Sequence, residues 1–274
     1  MPSQIPVFIL RAIVAALLAA SCSSFAGSLL VTRGLSFMVS AVSHAALGGA
    51  ALGIYLQSSG IAPWFNPLLG ATLFGLMVAA VTAYSGGKGL SISMEKSIGV
   101  SFALSMSLAV FFMYYIPFDK RAEIWGYFVG DILLLTDSDI MGLTISTVIL
   151  TTILLIFFRE FIYVSFDPEG ATAFGLRSQL YNYLLLLVTA VSITSATKAV
   201  GAILAFTVIV VPAAAASELS NDIVGSILLS YLIASTAELA GIAGSYLVNV
   251  SPTAITGILT SIVYLVALLK KRRI

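Results

Sequence analysis

The chain has one cysteine, Cys22, and one histidine, His44, among 274 residues. A lone thiol cannot close an intramolecular disulfide, and no Cys/His set has the spacing of a zinc site. Charge is also scarce: Asp, Glu, Lys and Arg make up 9% of the residues, where a soluble domain has about 25%. A net charge of +1 gives no hint of nucleic-acid binding, and the distribution of charge matters more than the sum. The phosphate-binding loop of nucleotide hydrolases is missing, because GGKG at 86–89 lacks the upstream glycine and the following hydroxyl residue. The chain is therefore not expected to bind ATP. Catalytic sets are missing as well: no acid neighbours His44 in sequence to orient it as a triad would, and no HExxH motif exists. No enzyme and no bound cofactor are expected.

Apolar length is what the chain does have. With 59% hydrophobic residues and a mean hydropathy of +1.08 it reads as a polytopic membrane protein. A spanning helix needs about 20 mainly apolar residues. That rule selects nine stretches, 5–30, 37–57, 64–84, 97–117, 139–158, 180–197, 199–216, 223–248 and 252–269. The expected fold is all-α, a transmembrane helical bundle forming a single domain over 1–274. No basic run precedes the first apolar stretch, so that stretch is read as a retained span rather than a signal peptide. The stretch 199–216 fits either a full span or a shorter, partly re-entrant helix.

Orientation follows from the Lys and Arg bias of short loops. Nine spans with the C-terminal KKRR inside also put Arg33, Lys88, Lys96, Arg159 and Arg177 inside, and leave Lys120, Arg121 and Lys198 outside. The N-terminus is then outside and the C-terminus cytoplasmic. Two loops stand out. In 118–138, Trp125, Tyr127 and Phe128 suit a short helix lying at or dipping into the outer surface. It reads equally as a packed external loop or as a docking element. In 159–178, Asp167 and Pro168 form an N-cap and first-position pair, Glu169 adds a first-turn carboxylate, and Gly175 stands where a short helix ends. A helix of about two turns is expected there, either a plain capped turn or a surface on which a soluble partner pushes.

Two groups well inside predicted spans ask for a reason, the only histidine and the one acid that lies far from a span end. His44 belongs to FMVSAVSHAALGGAALGIYLQ, with Ser40 one turn earlier on the same face and the small residues Gly48, Gly49 and Gly53 after it. An imidazole in hydrocarbon needs a hydrogen-bond partner, a metal ion or a wet cavity. Neutral imidazole is a good ligand for divalent transition metals, while a serine hydroxyl is a weak one. Metal contact and an interhelical hydrogen bond both remain open for His44. Glu238 lies in LIASTAELAGIAGSYL. It suits either a cation pathway or a carboxyl hydrogen-bonded to a neighbouring helix.

Four strings, in order, resemble the integral membrane permeases of metal-chelate ATP-binding cassette importers. SHAALGGAALGIYL looks like that family's second-helix signature, and WGYFVGDILLLTDSDI, with Gly130 and Asp131, like its short Gly-Asp segment. FDPEGATAFGLRSQLYNYLLLL is similar to the cytoplasmic segment that meets the ATPase. AVGAILAFTVIVVPAAAA, with Gly201 and Pro212, resembles the Gly-to-Pro segment that follows. The resemblance covers nearly the whole chain. It implies a type II importer fold, multi-pass in the plasma or inner membrane. A second permease subunit would complete the pathway, giving a homodimer in the membrane lipid. The expected partners are a cytoplasmic ATPase dimer and an extracytoplasmic metal-binding protein, with no nucleic acid. The cargo would be zinc, manganese or iron. Carried over by position, His44, with Ser40 and Glu238, would line the ion path, and Asp167, Pro168, Glu169 and Gly175 would form the coupling segment.

One departure matters. Many members of that family carry aspartate four residues before the histidine, where this chain has Ser40, and Ala254 stands where glycine is common. Losing the carboxylate removes the hard ligand that favours manganese, so a different substrate such as a small chelate stays open. Two rival readings make different predictions. A proton-coupled carrier using Glu238 and His44 would run without an ATPase, and a membrane scaffold would carry no metal at all.

Overall fold

The computed structural model describes residues 7–86, 91–130 and 132–271. Every regular element among them is helical. Nine of these helices are long and apolar enough to cross a membrane. In chain order the helices are α1 (Val7–Thr32), α2 (Phe37–Ser58), α3 (Pro67–Gly86), α4 (Ser91–Tyr115), α5 (Arg121–Val129), α6 (Asp137–Ile156), α7 (Phe158–Phe166), α8 (Pro168–Ala173), α9 (Ser178–Val200), α10 (Ala202–Leu219), α11 (Ile223–Val248) and α12 (Pro252–Lys271). All but α5, α7 and α8 are spans, and each falls within a few residues of an apolar stretch expected from sequence.

Local chemistry sets the ends. Asn66 Oδ1 accepts the Leu68 amide at 2.9 Å, and Pro67 opens α3 where a missing N–H costs nothing. Thr136 and Asp139 cap α6 reciprocally, the Asp139 carboxylate taking the Thr136 amide at 3.0 Å. Asp222 caps α11 through the Gly225 amide, and Asn249 ends it in the left-handed conformation at φ 55°. Pro212 sits inside α10 without ending it. The stretch that allowed two readings thus forms an 18-residue helix.

α2 lies at the centre. One core cluster joins Leu30, Val42, Val78, Ile98, Ile193 and Ile209, from six different helices. Around it, α4 and α6 turn apolar faces outward, with Val100 70% and Met141 66% exposed. That suits lipid contact rather than water. Since lipid tails are as apolar as leucine, close helix packing must come from van der Waals contact between small residues. The run after His44 serves this purpose. A Cβ on Gly49 would fall on the Gly70 carbonyl of α3, and one on Gly53 would press on Pro67. Gly48 meets the other neighbour, at the Ser105 carbonyl of α4. The glycines therefore admit helices on two sides.

The two conspicuous loops are both more structured than expected. Residues 118–138 contain a 3₁₀ turn at Phe118–Lys120, then α5, then Gly130 and a second 3₁₀ turn at Ile132–Leu134. Ile124 and Tyr127 of α5 are buried, while Trp125 is exposed. Asp131, the other half of the Gly-Asp pair, lies outside the described residues. Residues 159–178 hold two helices where one was expected. α6 stops at Phe157, and the amphipathic α7 buries Phe161 and Val164 before the chain reaches Asp167. The second helix, α8, has six residues, close to the two turns foreseen.

Candidate ion pathway

Two interrupted helices cross at one end of the bundle. α5 ends at Gly130 (φ 71°) and α9 at Gly201 (φ 87°), a region of backbone space closed to other residues. A Cβ on Gly130 would strike the Val200 carbonyl carbon and the Gly201 amide, and one on Gly201 would strike Val129 and the Gly130 amide. The two backbones therefore touch with no side chain between them. α10 starts at this crossing, and its first carbonyl, Ala202 O, accepts Ser43 Oγ from α2 at 3.3 Å. Ser43 precedes His44, so the crossing and the histidine share a fixed frame.

His44 Nδ1 lies 2.8 Å from the Ser40 carbonyl oxygen. A carbonyl can only accept, so Nδ1 carries a proton, and in the neutral ring Nε2 holds the lone pair. The ring packs edge-on against Phe102 of α4, with centroids 5.0 Å apart at 67°. His44 and Ser40 are part-exposed, whereas Ser43 and Ala45 beside His44 are fully buried. The local helix thus presents an oriented imidazole with one free ligand position. No group of three or more His, Cys, Asp or Glu able to hold a metal occurs among the described residues.

The structure does not bring Glu238 to this place. Its helix, α11, packs against α1, α10 and α12, while α10 stands against α2 as well. Glu238 is 4% exposed, and both carboxyl oxygens are buried without a hydrogen-bond partner. It borders a cavity of about 10 Å³ with Ile132, Val200, Pro252, Thr253 and Thr256 among its walls.

Sequence reading missed a charge cluster at the same end as the crossing. Lys198 of α9 forms an ion pair with Asp139 of α6 and sits 5.8 Å above the Tyr127 ring of α5. Burial first, then the charges of Glu123 and Asp139, pushes the Tyr127 phenol up from its ordinary value. Arg11 of α1 pairs with Asp137 at 2.5 Å. A cavity of about 310 Å³ opens beside the first pair, lined by Asn66, Thr72, Ser138 and Ser195 as well. Charges at the ends of predicted spans were the available signal, but their pairing depends on the packing of α6 against α9.

At the opposite end, Asp167 Oδ1 accepts the Gly170 amide at 2.8 Å and Pro168 opens α8. The Leu176 amide reaches back to the Ala171 carbonyl at 3.0 Å around Gly175 (φ 84°), the helix stop that the sequence suggested. Glu169 lies in the first turn. Phe166 and Phe174, 63% and 80% exposed, flank this short helix. Arg33, between α1 and α2, donates to Asn182 Oδ1 at 2.5 Å. Burial lowers its guanidinium to about 10, so it stays charged at neutral pH.

The profile of the ABC 3 transport family matches residues 6–271. The manganese import system permease protein ScaB of Streptococcus gordonii is 30% identical over 95% of this chain and 90% of its own length. The manganese transport system membrane protein MntC of Listeria innocua serovar 6a is 28% identical over 96% and 90%. Among solved structures, PsaBC from Streptococcus pneumoniae in complex with Fab superposes with a TM-score of 0.81 at 25% identity, over 95% of this chain and 90% of that one. With the spans, the crossing and the short paired helices already in place, the chain belongs to the ABC 3 transport family and is a multi-pass membrane transport permease.

Proposed function

We propose that this chain is the membrane permease of an ATP-driven importer of a divalent metal ion, with manganese the first cargo to test and zinc and iron next. The observation that carries the reading is His44, a part-exposed imidazole whose Nδ1 is tied to the Ser40 carbonyl so that Nε2 is free to accept an ion. The names of the full-length relatives support manganese. Ser40 in place of an acid favours a weak transit contact, which suits a site that must release its ion.

In this reading the N-terminus is external, the C-terminus is cytoplasmic, and the plasma or inner membrane holds two copies of the chain around the path. A cytoplasmic ATPase dimer docks on the segment around Asp167, Pro168, Glu169 and Gly175, whose exposed Phe166 and Phe174 support a protein contact. An extracytoplasmic binding protein delivers the metal at the end where Gly130 and Gly201 cross.

The test is manganese uptake into liposomes holding the chain with its cognate ATPase and binding protein. ATP-dependent uptake, lost when 159–178 is replaced by a flexible linker, is the expected result. Uptake driven by a pH gradient without the ATPase would establish the proton-coupled alternative instead.

A further inference from the structure

Among the described residues, Glu238 is buried with neither carboxyl oxygen hydrogen-bonded. The described residues lining its cavity are all uncharged. Lys198 and Arg11, the cations nearest in sequence to that lining and its cluster, are committed to Asp139 and Asp137. An ionised carboxylate without a partner in such surroundings costs several kcal/mol. The neutral acid costs far less, provided its O–H and C=O find partners.

The cavity offers them. At about 10 Å³ it is close to the space of one water. The single Thr256 Oγ1 proton is shared between the Pro252 and Ala237 carbonyls, 3.0 and 3.3 Å away, which leaves the hydroxyl lone pairs to accept. Thr253 and the Pro252 carbonyl belong to the first turn of α12. Val200 is the last residue of α9, where helical carbonyls lack the N–H groups of a following turn. Ile132 follows the break at Gly130. The carboxyl therefore sits behind the crossing, within walls formed by α9, α10, α11, α12 and the turn after α5.

We propose that Glu238 is a positioning residue that enters the fold as the neutral acid. With one buried water it links α11 and the first turn of α12 to the open end of α9, and it holds the Gly130 and Gly201 crossing in register. It is not an ion ligand. The role is separate from His44 and does not depend on which metal is carried.

Infrared difference spectroscopy of the full-length protein in lipid nanodiscs reads the carboxyl directly. Glu238 should give the carbonyl band of a protonated acid at neutral pH, shifted in D₂O and missing in Glu238→Gln. Adding manganese should leave it unchanged. Absence of that band, or its loss on adding manganese, overturns the proposal. Uptake with the ATPase supplies the second readout. Glu238→Gln should keep both KM for manganese and maximal rate, while Glu238→Leu should lower the rate with KM unchanged. A raised KM in Glu238→Gln would make Glu238 a ligand and sink the idea. If Glu238→Leu fails to fold, the infrared band and Glu238→Gln still decide the matter.

Discussion

His44 and Glu238 are the two polar groups that the sequence singles out deep in apolar helices, and the structure treats them in opposite ways. His44 is part-exposed, is oriented by a carbonyl of its own helix one turn back, and keeps a free nitrogen. Glu238 is sealed, with no partner for either oxygen and a cavity the size of one water beside it. A group that must exchange a ligand needs access and one committed hydrogen bond. A group that fixes a helix end needs enclosure. Polarity inside a membrane thus marks importance without saying which of the two jobs is done.

Four substitutions test that contrast, in falling order of effect. His44→Ala should lower manganese uptake by roughly tenfold or more while thermal unfolding stays put; an equal loss in Glu238→Gln would erase the difference between the sites. Ser40→Asp adds a hard anionic ligand one turn before the imidazole. It is expected to lower KM for manganese and slow turnover, and an unchanged KM measured by radiolabelled uptake would place the ion elsewhere. Phe102→Ala frees the ring that packs on His44. A rise in KM of about threefold is expected, from a loss on the order of 0.5–1 kcal/mol of ring packing. Thr256→Val removes a hydroxyl from the Glu238 side. It should cost about 1 kcal/mol of stability by chemical denaturation and leave KM alone.

How much of this was readable beforehand follows from range. The spans were legible because twenty apolar residues in a row announce themselves whatever surrounds them. The Asp167, Pro168 and Gly175 signals worked because capping is a contact between residues three to five apart. α7 escaped because the apolar stretch was ended at 158 and the charged pair Arg159 and Glu160 then read as the start of a loop, whereas the chain resumes as a helix straight after Phe157. For the site, His44 could be named but its partner could not. Ser40 was considered for its hydroxyl, whereas its backbone carbonyl does the orienting. Lys198, Asp139 and Tyr127 meet only because three helices converge, a relation that no local spacing encodes. Gly130 and Gly201 carried a motif signal, but nothing in the sequence said that they touch each other.

That touch limits how the protein can vary. In most packed pairs a larger residue on one side can be answered by a smaller one opposite. Between Gly130 and Gly201 neither side has anything left to give up, and each added atom would land on main chain. A selection for suppressors of Gly130→Ala should therefore return true revertants and few second-site changes. The crossing is a place where evolution can edit neither partner alone nor both together.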